Sequence, residues 1–275
     1  MLPEDCVSVI LSLTSPLHAC RSSLVSSTFR SAAESDIVWE RFLPSDYRDI
    51  VLRSSTADLD HFSSKKELFL YLCSNPILLD RKSFKLDKSS GKKSYILSAR
   101  ELSITLSDNP EYWSWKSTPE SRFPEVAELR TIRRLEIEGK IRTRMLSPNT
   151  SYAAFLLIKV TNCSYGLDSI PAETSLKMGN LVSTTNTAYL SYKDSKKRQM
   201  ESLFYGNRKQ MLKARVAKGD GRVPVERDED GWMEIELGEF FSGEDDEEVK
   251  MGLREVNGYQ LKGGFLVEGI EVRPK

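Results

Sequence analysis

The sequence predicts an α+β multidomain chain: a small helical unit at the N-terminal end, then an all-β sandwich of jelly-roll type. Three observations carry that expectation. All 15 glycines lie after residue 90 of the 275, so the front of the chain lacks the residue that tight turns most often need. Near the start, Val7, Ile10, Leu11 and Thr14 follow the i, i+3, i+4, i+7 template of a helix face. From Ile77 onward the pattern alternates with a period of two, as on a pleated strand. The length suits about two domains at roughly 150 residues each.

Residues 1–46 divide into short helices. Pro3 suits the first turn of one helix, and Ser15 is placed to cap a second with Pro16 behind it. Leu17, Cys20 and Leu24 make the stripe of that second helix. Ser27 or Thr28 is placed to cap a third helix with Phe29, Ala32 and Ala33, and Asp36 a fourth with Ile37, Val38, Trp39 and Phe42. A cluster this small is marginal alone, so a partner that completes its core is expected. Residues 47–76 read as a helical connector. Ser54, Ser55 and Thr56 interrupt it, Lys65–Cys73 forms one amphipathic helix on Leu68, Phe69 and Leu72, and Asn75-Pro76 ends that helix.

Over residues 77–275, strands are expected at Tyr95–Ala99, Leu102–Leu106, Ile132–Ile137 and Tyr152–Val160. Four more are expected at Thr187–Tyr192, Trp232–Leu237, Val249–Val256 and Phe265–Val272. Tyr152–Val160 is apolar on both faces and therefore reads as a central strand. About eight or nine short strands between Gly, Pro, Asn and Ser turns point to a sandwich.

Composition excludes several function classes. Forty basic residues balance forty acidic ones, which argues against a chain-wide grip on nucleic acid or an anionic membrane. The uncharged stretch Cys6–Cys20 is 15 residues long and broken by Ser, Thr, Pro and His, whereas a spanning helix needs about 20. Glu4 and Asp5 stand where a secretory leader carries basic residues. The four cysteines form no CxxC pair and read as buried thiols of a reducing compartment. His18 and His61 lack the paired spacing of a zinc motif, so no metal or cofactor is expected. GxSxG, GxGxxG and GxxxxGK[ST] are all absent, and no spacing singles out a carboxylate pair for glycoside hydrolysis. A catalyst is therefore the weaker expectation.

Two regions are strongly charged: Tyr192–Arg222 has ten basic residues against three acidic, and Glu226–Glu248 has twelve acidic residues and one arginine. They read as solvated surfaces of opposite field. Lys196-Lys197-Arg198 matches a short nuclear-import patch, and Asp228–Asp230 and Asp245–Glu248 lack EF-hand spacing. The expected location is cytoplasm and nucleus.

Leu2-Pro3-Glu4-Asp5, Ile10-Leu11, Pro16, Cys20-Arg21, Leu24-Val25-Ser26-Ser27, Phe29-Arg30 and Asp36 through Trp39 stand in an order and spacing that resemble an F-box. The resemblance implies docking onto a Skp-family adaptor, and through it onto a cullin-RING ubiquitin ligase. By position, the contact candidates are Leu2, Pro3, Val7, Ile10, Leu11, Leu17, Leu24, Val25 and Trp39. Some of these instead form the cluster's own core, and Trp39 is suited to both tasks.

A second resemblance covers residues 77–275. Three blocks carry it: Ser98–Thr105 with Asp108-Asn109-Pro110-Glu111-Tyr112-Trp113; Glu125–Leu129 with Leu135-Glu136-Ile137 and Gly139-Lys140-Ile141; and Asp230–Ile235 with Leu237–Phe241, closing on Gly269–Pro274. This region is similar to the plant phloem-protein-two, or Nictaba-like, lectin family. The family implies binding of glycans that contain N-acetylglucosamine, through the loop from Ile104 to Trp113. Of the family's two site tryptophans, one matches Trp113 and the other falls on Leu106. Leucine has bulk but no π face for a sugar ring to stack on, so weakened or redirected binding is expected. Asn109 either bonds a sugar hydroxyl or starts the Asn-Pro turn, and Tyr112 completes the candidate set.

Trp113 and Trp115 are two apart and would point the same way in an extended segment. The expectation places Trp113 at the solvent as a sugar platform and Trp115 inside the sandwich end, which requires a bend between them. Trp232 reads as a core residue at the end of a strand. The combined reading is a non-catalytic substrate receptor of a Skp-cullin-F-box ligase that recognises glycosylated targets. The alternatives are a free intracellular lectin, or an F-box receptor whose sandwich binds protein and not sugar.

Overall fold

The computed structural model describes residues 2–54, 62–167, 171–179, 185–190, 222–227, 231–255 and 260–275. Six helices come first. Helix α1 (Glu4–Ser12) follows Pro3, and Ser15 Oγ accepts the His18 N–H ahead of α2 (Pro16–Ser22), as the sequence predicts. Ser26, rather than Ser27 or Thr28, caps α3 (Ser27–Glu34) by accepting the Phe29 N–H. Asp36 opens α4 (Asp36–Phe42) without capping it; its Oδ1 accepts the backbone N–H of Lys65 at 2.8 Å, tying α4 to the start of α6 (Lys65–Ser74). Between them lies α5 (Tyr47–Leu52), a helix within the expected connector that buries Tyr47, Ile50 and Val51.

Helix α1 packs on α3 and α4, burying Val7 and Leu11 with Ala32, Ala33 and Val38. At the far side of this cluster Trp39 is wholly enclosed. Its indole N–H donates to Ala33 O at 2.7 Å, and its ring meets Phe42 edge-on and lies 5.2 Å from Phe69 of α6. Phe69 and Leu72 are also fully buried, and α6 rests on strand β2 (Lys82–Leu86). One apolar core thus runs from α1 through α6 into the β region. The turn before β3 (Lys93–Ser98) seals this junction: a Cβ on Gly91 would lie 2.8 Å from Phe42 O. Nearby, the Lys93 ammonium, itself buried, pairs with Asp46 at 2.7 Å.

The β region is a sandwich of two antiparallel sheets. Its remaining strands are β1 (Ile77–Leu79), β4 (Ser103–Ile104), β5 (Trp113–Lys116), β6 (Val126–Leu129), β7 (Leu135–Arg142), β8 (Thr150–Tyr165), β9 (Ala172–Met178), β10 (Thr185–Ala188), β11 (Val225–Glu226), β12 (Met233–Ser242), β13 (Glu248–Glu255) and β14 (Gly263–Pro274). The larger sheet runs β1-β2-β3-β14-β8-β12-β11, and the smaller runs β10-β9-β13-β7-β4. β14 is long enough to pair with β3 through its C-terminal half and with β6 through its N-terminal half, so β5 and β6 branch from the same sheet. Gly269 sits where these halves meet, at a register shift, and any Cβ there would strike Leu97 O.

β8 is central, as its two apolar faces predict. β14 shows almost no alternation because its outer face is covered too. Phe123 packs there on Ile96 and Leu157, and Trp232 on Val126 and Leu266, which places Trp232 in the core as expected. On the same strand Glu271 is fully buried, with Arg227 at 2.8 Å, Arg273 at 2.9 Å and Lys85 at 3.3 Å. Burial pushes the Glu271 carboxyl up, and the three cations outweigh this and hold it below the usual range.

Several expectations need correction. The sequence does not predict β1, β2, β5, β6, β9 or β11, and β7 begins at Leu135 and not at Ile132, which makes only an isolated bridge to Lys262. Cys6, Cys20 and Cys163 are exposed, not buried; only Cys73 is enclosed enough that burial pushes its thiol up to about 12. Lys196-Lys197-Arg198 and Asp228–Asp230 lie outside the described residues. Asp246 of the acidic run is held by Arg142 at 2.8 Å, and no metal-ligating cluster exists among the described residues. No helix among them is long and apolar enough to cross a membrane.

Because Phe69 bridges the two regions, Phe69→Ala is expected to cost about 3–5 kcal/mol and to lower one shared thermal transition. Calorimetry of the full chain checks this. Two separate transitions, with only the helical one moved, would show that the regions unfold independently.

Candidate functional site

The helical end offers the first site. Helix α1 is apolar on both sides: Val7 and Leu11 face inward, while Val9, Ile10 and Leu13 face solvent. Apolar side chains gathered on one exposed surface mark a place where another molecule can bind. The exposed set continues through Leu2, Pro3, Leu17 and the turn after α2, where Leu24 is 81% and Val25 70% exposed. The nine sequence-based contact candidates therefore divide. Leu2, Pro3, Ile10, Leu17, Leu24 and Val25 are available to a partner. Val7, Leu11 and Trp39 are not, because each is an internal wall of the chain's own core. Val9, Leu13 and Ile37 are exposed apolar residues that the motif alone did not single out.

The second site is a cleft of about 380 Å³ at one end of the sandwich, lined by Arg100, Ser107, Asp108, Pro110, Trp113, Ser114, Trp115 and Arg130. The loop from Ile104 to Trp113 makes one wall. It is built from tight turns: Ser107 N–H donates to Ile104 O, Asn109 N–H to Leu106 O, and both Tyr112 and Trp113 N–H to Asn109 O. The Asn109 side chain caps the last of these by accepting the Glu111 N–H at 2.9 Å, so it serves the Asn-Pro turn. Leu106 holds a left-handed backbone (φ 59°) and is 51% exposed, outside the cleft lining. Tyr112 is half-buried against the core and also outside the lining.

Trp113 and Trp115 sit on the same side of β5, opposite Leu129 and Ala127 of β6, with no bend between them. Each indole N–H reaches back to a loop carbonyl eight residues earlier, Trp113 to Thr105 O at 2.9 Å and Trp115 to Ser107 O at 3.4 Å. Their accessibility differs in the sense opposite to that expected. Trp113 is 1% exposed, edge-on to Phe265, and forms only the buried floor. It therefore offers no stacking face. Trp115 is the partly open one, and the Arg100 guanidinium lies 3.5 Å over its ring.

Arg100 is fixed by Glu125, whose Oε2 accepts from its Nε at 3.0 Å and its Nη2 at 2.7 Å. Across the cleft, Arg130 Nη1 donates to Pro110 O at 2.9 Å. Behind Ser114, burial raises the Glu128 carboxyl, but hydrogen bonds from Lys116 and Ser114 prevail and hold it below the ordinary carboxylate range. The cleft combines one aromatic edge, two guanidinium groups, two hydroxyls and the Asp108 carboxylate. It can hold a polar ligand through hydrogen bonds, and no nucleophile–base pair is assembled in it.

The profile of the phloem protein 2 family matches residues 92–274, and that of the F-box domain matches residues 1–41. Among curated proteins of Arabidopsis thaliana, F-box protein PP2-B13 is 56% identical, over 100% of this chain and 98% of its own length. F-box protein VBF is 55% identical over 100% and 99%, and F-box protein PP2-B15 is 55% identical over 100% and 96%. Among solved structures, a family 35 carbohydrate binding module from Clostridium thermocellum aligns with 65% of this chain and 96% of its own at 9% identity, with a TM-score of 0.31.

Trp113→Ala is expected to cost about 3–5 kcal/mol through the cavity it leaves, and Trp115→Ala clearly less. Thermal melts of the two variants read this order; a reversed order would put the buried indole at position 115.

Proposed function

This chain belongs to the phloem protein 2 family and carries an F-box ahead of that domain, and from that premise we propose that it is a substrate receptor of a Skp-cullin-F-box ubiquitin ligase. F-box proteins are in general receptor or adaptor subunits rather than catalysts. The chain would break no bond itself; it raises the effective concentration of a target lysine near the charged ubiquitin carrier. One observation carries the proposal: Leu24, Val25 and the outer side of α1 remain uncovered although the core beneath them is full. An apolar face on a finished core needs a groove in another protein, and an Skp-type adaptor is the partner an F-box implies.

For the sandwich, we infer recognition of a glycan containing N-acetylglucosamine on the target, in the cleft beside Trp115. The family resemblance and the hydroxyl- and guanidinium-lined cleft support this reading. A protein ligand is the second reading, favoured by an exposed Leu106 and a sealed Trp113.

Capture of a Skp-family adaptor by the full chain tests the first proposal. Leu24→Glu with Val25→Glu is expected to abolish capture and leave the melting temperature unchanged, whereas Leu11→Glu, at a buried position, unfolds the helices. An intact chain that captures no adaptor removes the proposal. A glycan array probed with the full chain decides between the two target readings: signal on N-acetylglucosamine oligomers or N-glycan cores is expected, and silence leaves only the protein reading.

A further inference from the structure

Of the two tryptophans that line the cleft, Trp115 is the more open, yet its face is occupied. The Arg100 guanidinium carbon lies 3.5 Å from the ring centroid, the separation of a flat stack. Arg100 comes from the short turn Ala99–Glu101 and is anchored by two donors to one Glu125 oxygen. The indole is equally fixed, by Ser107 O on one side and the pairing of β5 with β6 on the other. A neutral pyranose gains its stacking energy by laying C–H groups on bare aromatic surface. Against Trp115 it would first have to displace a guanidinium that is itself paired.

We propose that Arg100 is the specificity-determining residue of this cleft: stacked on Trp115 and anchored by Glu125, it competes with neutral sugar rings for the indole face and so weakens their binding without abolishing it. This rests on the glycan reading above. Apparent affinity for a neutral oligosaccharide is then the intrinsic affinity of the uncovered indole scaled by the fraction of time Arg100 is off it. Both Arg100 and Glu125 are partly exposed, so the anchor is a surface ion pair that competing salt weakens.

Titration of the full chain with chitotriose, followed by calorimetry, tests the proposal. Arg100→Ala is expected to tighten binding by roughly three- to tenfold, the range of one aromatic contact. Glu125→Gln is expected to move partway in the same direction. Acrylamide quenching of Trp115 should rise in parallel, and Trp115→Ala added to Arg100→Ala should cancel the gain. Should Arg100→Ala not fold, Arg100→Lys, which keeps the charge but not the planar group, is read in its place. Equal chitotriose binding by wild type and Arg100 variants overturns the role of Arg100 and leaves the glycan reading standing. No binding by any of them overturns both.

Discussion

The contact between Trp39 and Phe69 is what the rest of the structure hangs on. Trp39 belongs to the F-box, Phe69 to the helix that lies on the sandwich, and both are wholly buried in one core. Filling the Trp39 pocket from inside the chain frees the outer side of α1 from any structural duty. Without α6 the small helical cluster would have to recruit its exposed leucines for its own stability. With α6 in place those leucines can be spent on a partner. Asp36 reinforces the arrangement, since it gives up capping α4 and reaches the first N–H of α6.

This explains which parts of the helical end were legible in the sequence. Caps and stops were, because they are local: Ser15 with Pro16 and the Asn75-Pro76 stop act within a few residues. The division of the apolar residues was not. Val7 and Leu11 differ from Ile10 and Leu13 in no local property; what separates them is which side meets α3 and α4. The helix α5 was hidden because Tyr47, Ile50 and Val51 make a stripe of only two turns.

The sandwich was legible as a class and less so in detail, for a related reason. β7 and β9 alternate cleanly because one face is wet. β14 does not, since Phe123, Trp232 and the cations around Glu271 cover its outer side. β5 and β6 are four residues each and branch from the half of β14 that β3 leaves free, an arrangement no short window can reveal. The cleft inherits this difficulty. The spacing of Trp113 and Trp115 does show that they share a face, but which of them is sealed depends on Phe265, about 150 residues away in the chain. Arg100 and Glu125 both stand in the family's sequence blocks, yet nothing local shows that they meet over an indole.

A continuous core also constrains how the two sites work together. Were the helical end joined to the sandwich by a free linker, a ligand held by the sandwich would sample a wide volume around any partner of the helical end, and its effective concentration there would fall with linker length. Here Gly91 is pressed against Phe42 O, Lys93 is paired with Asp46, and α6 lies between the two regions without a gap. The cleft is therefore carried at a set orientation to the docking face. In the receptor role proposed above, such rigidity would present only those target lysines that the geometry brings near the ubiquitin carrier, so that selectivity would arise from position as well as from affinity for the cleft.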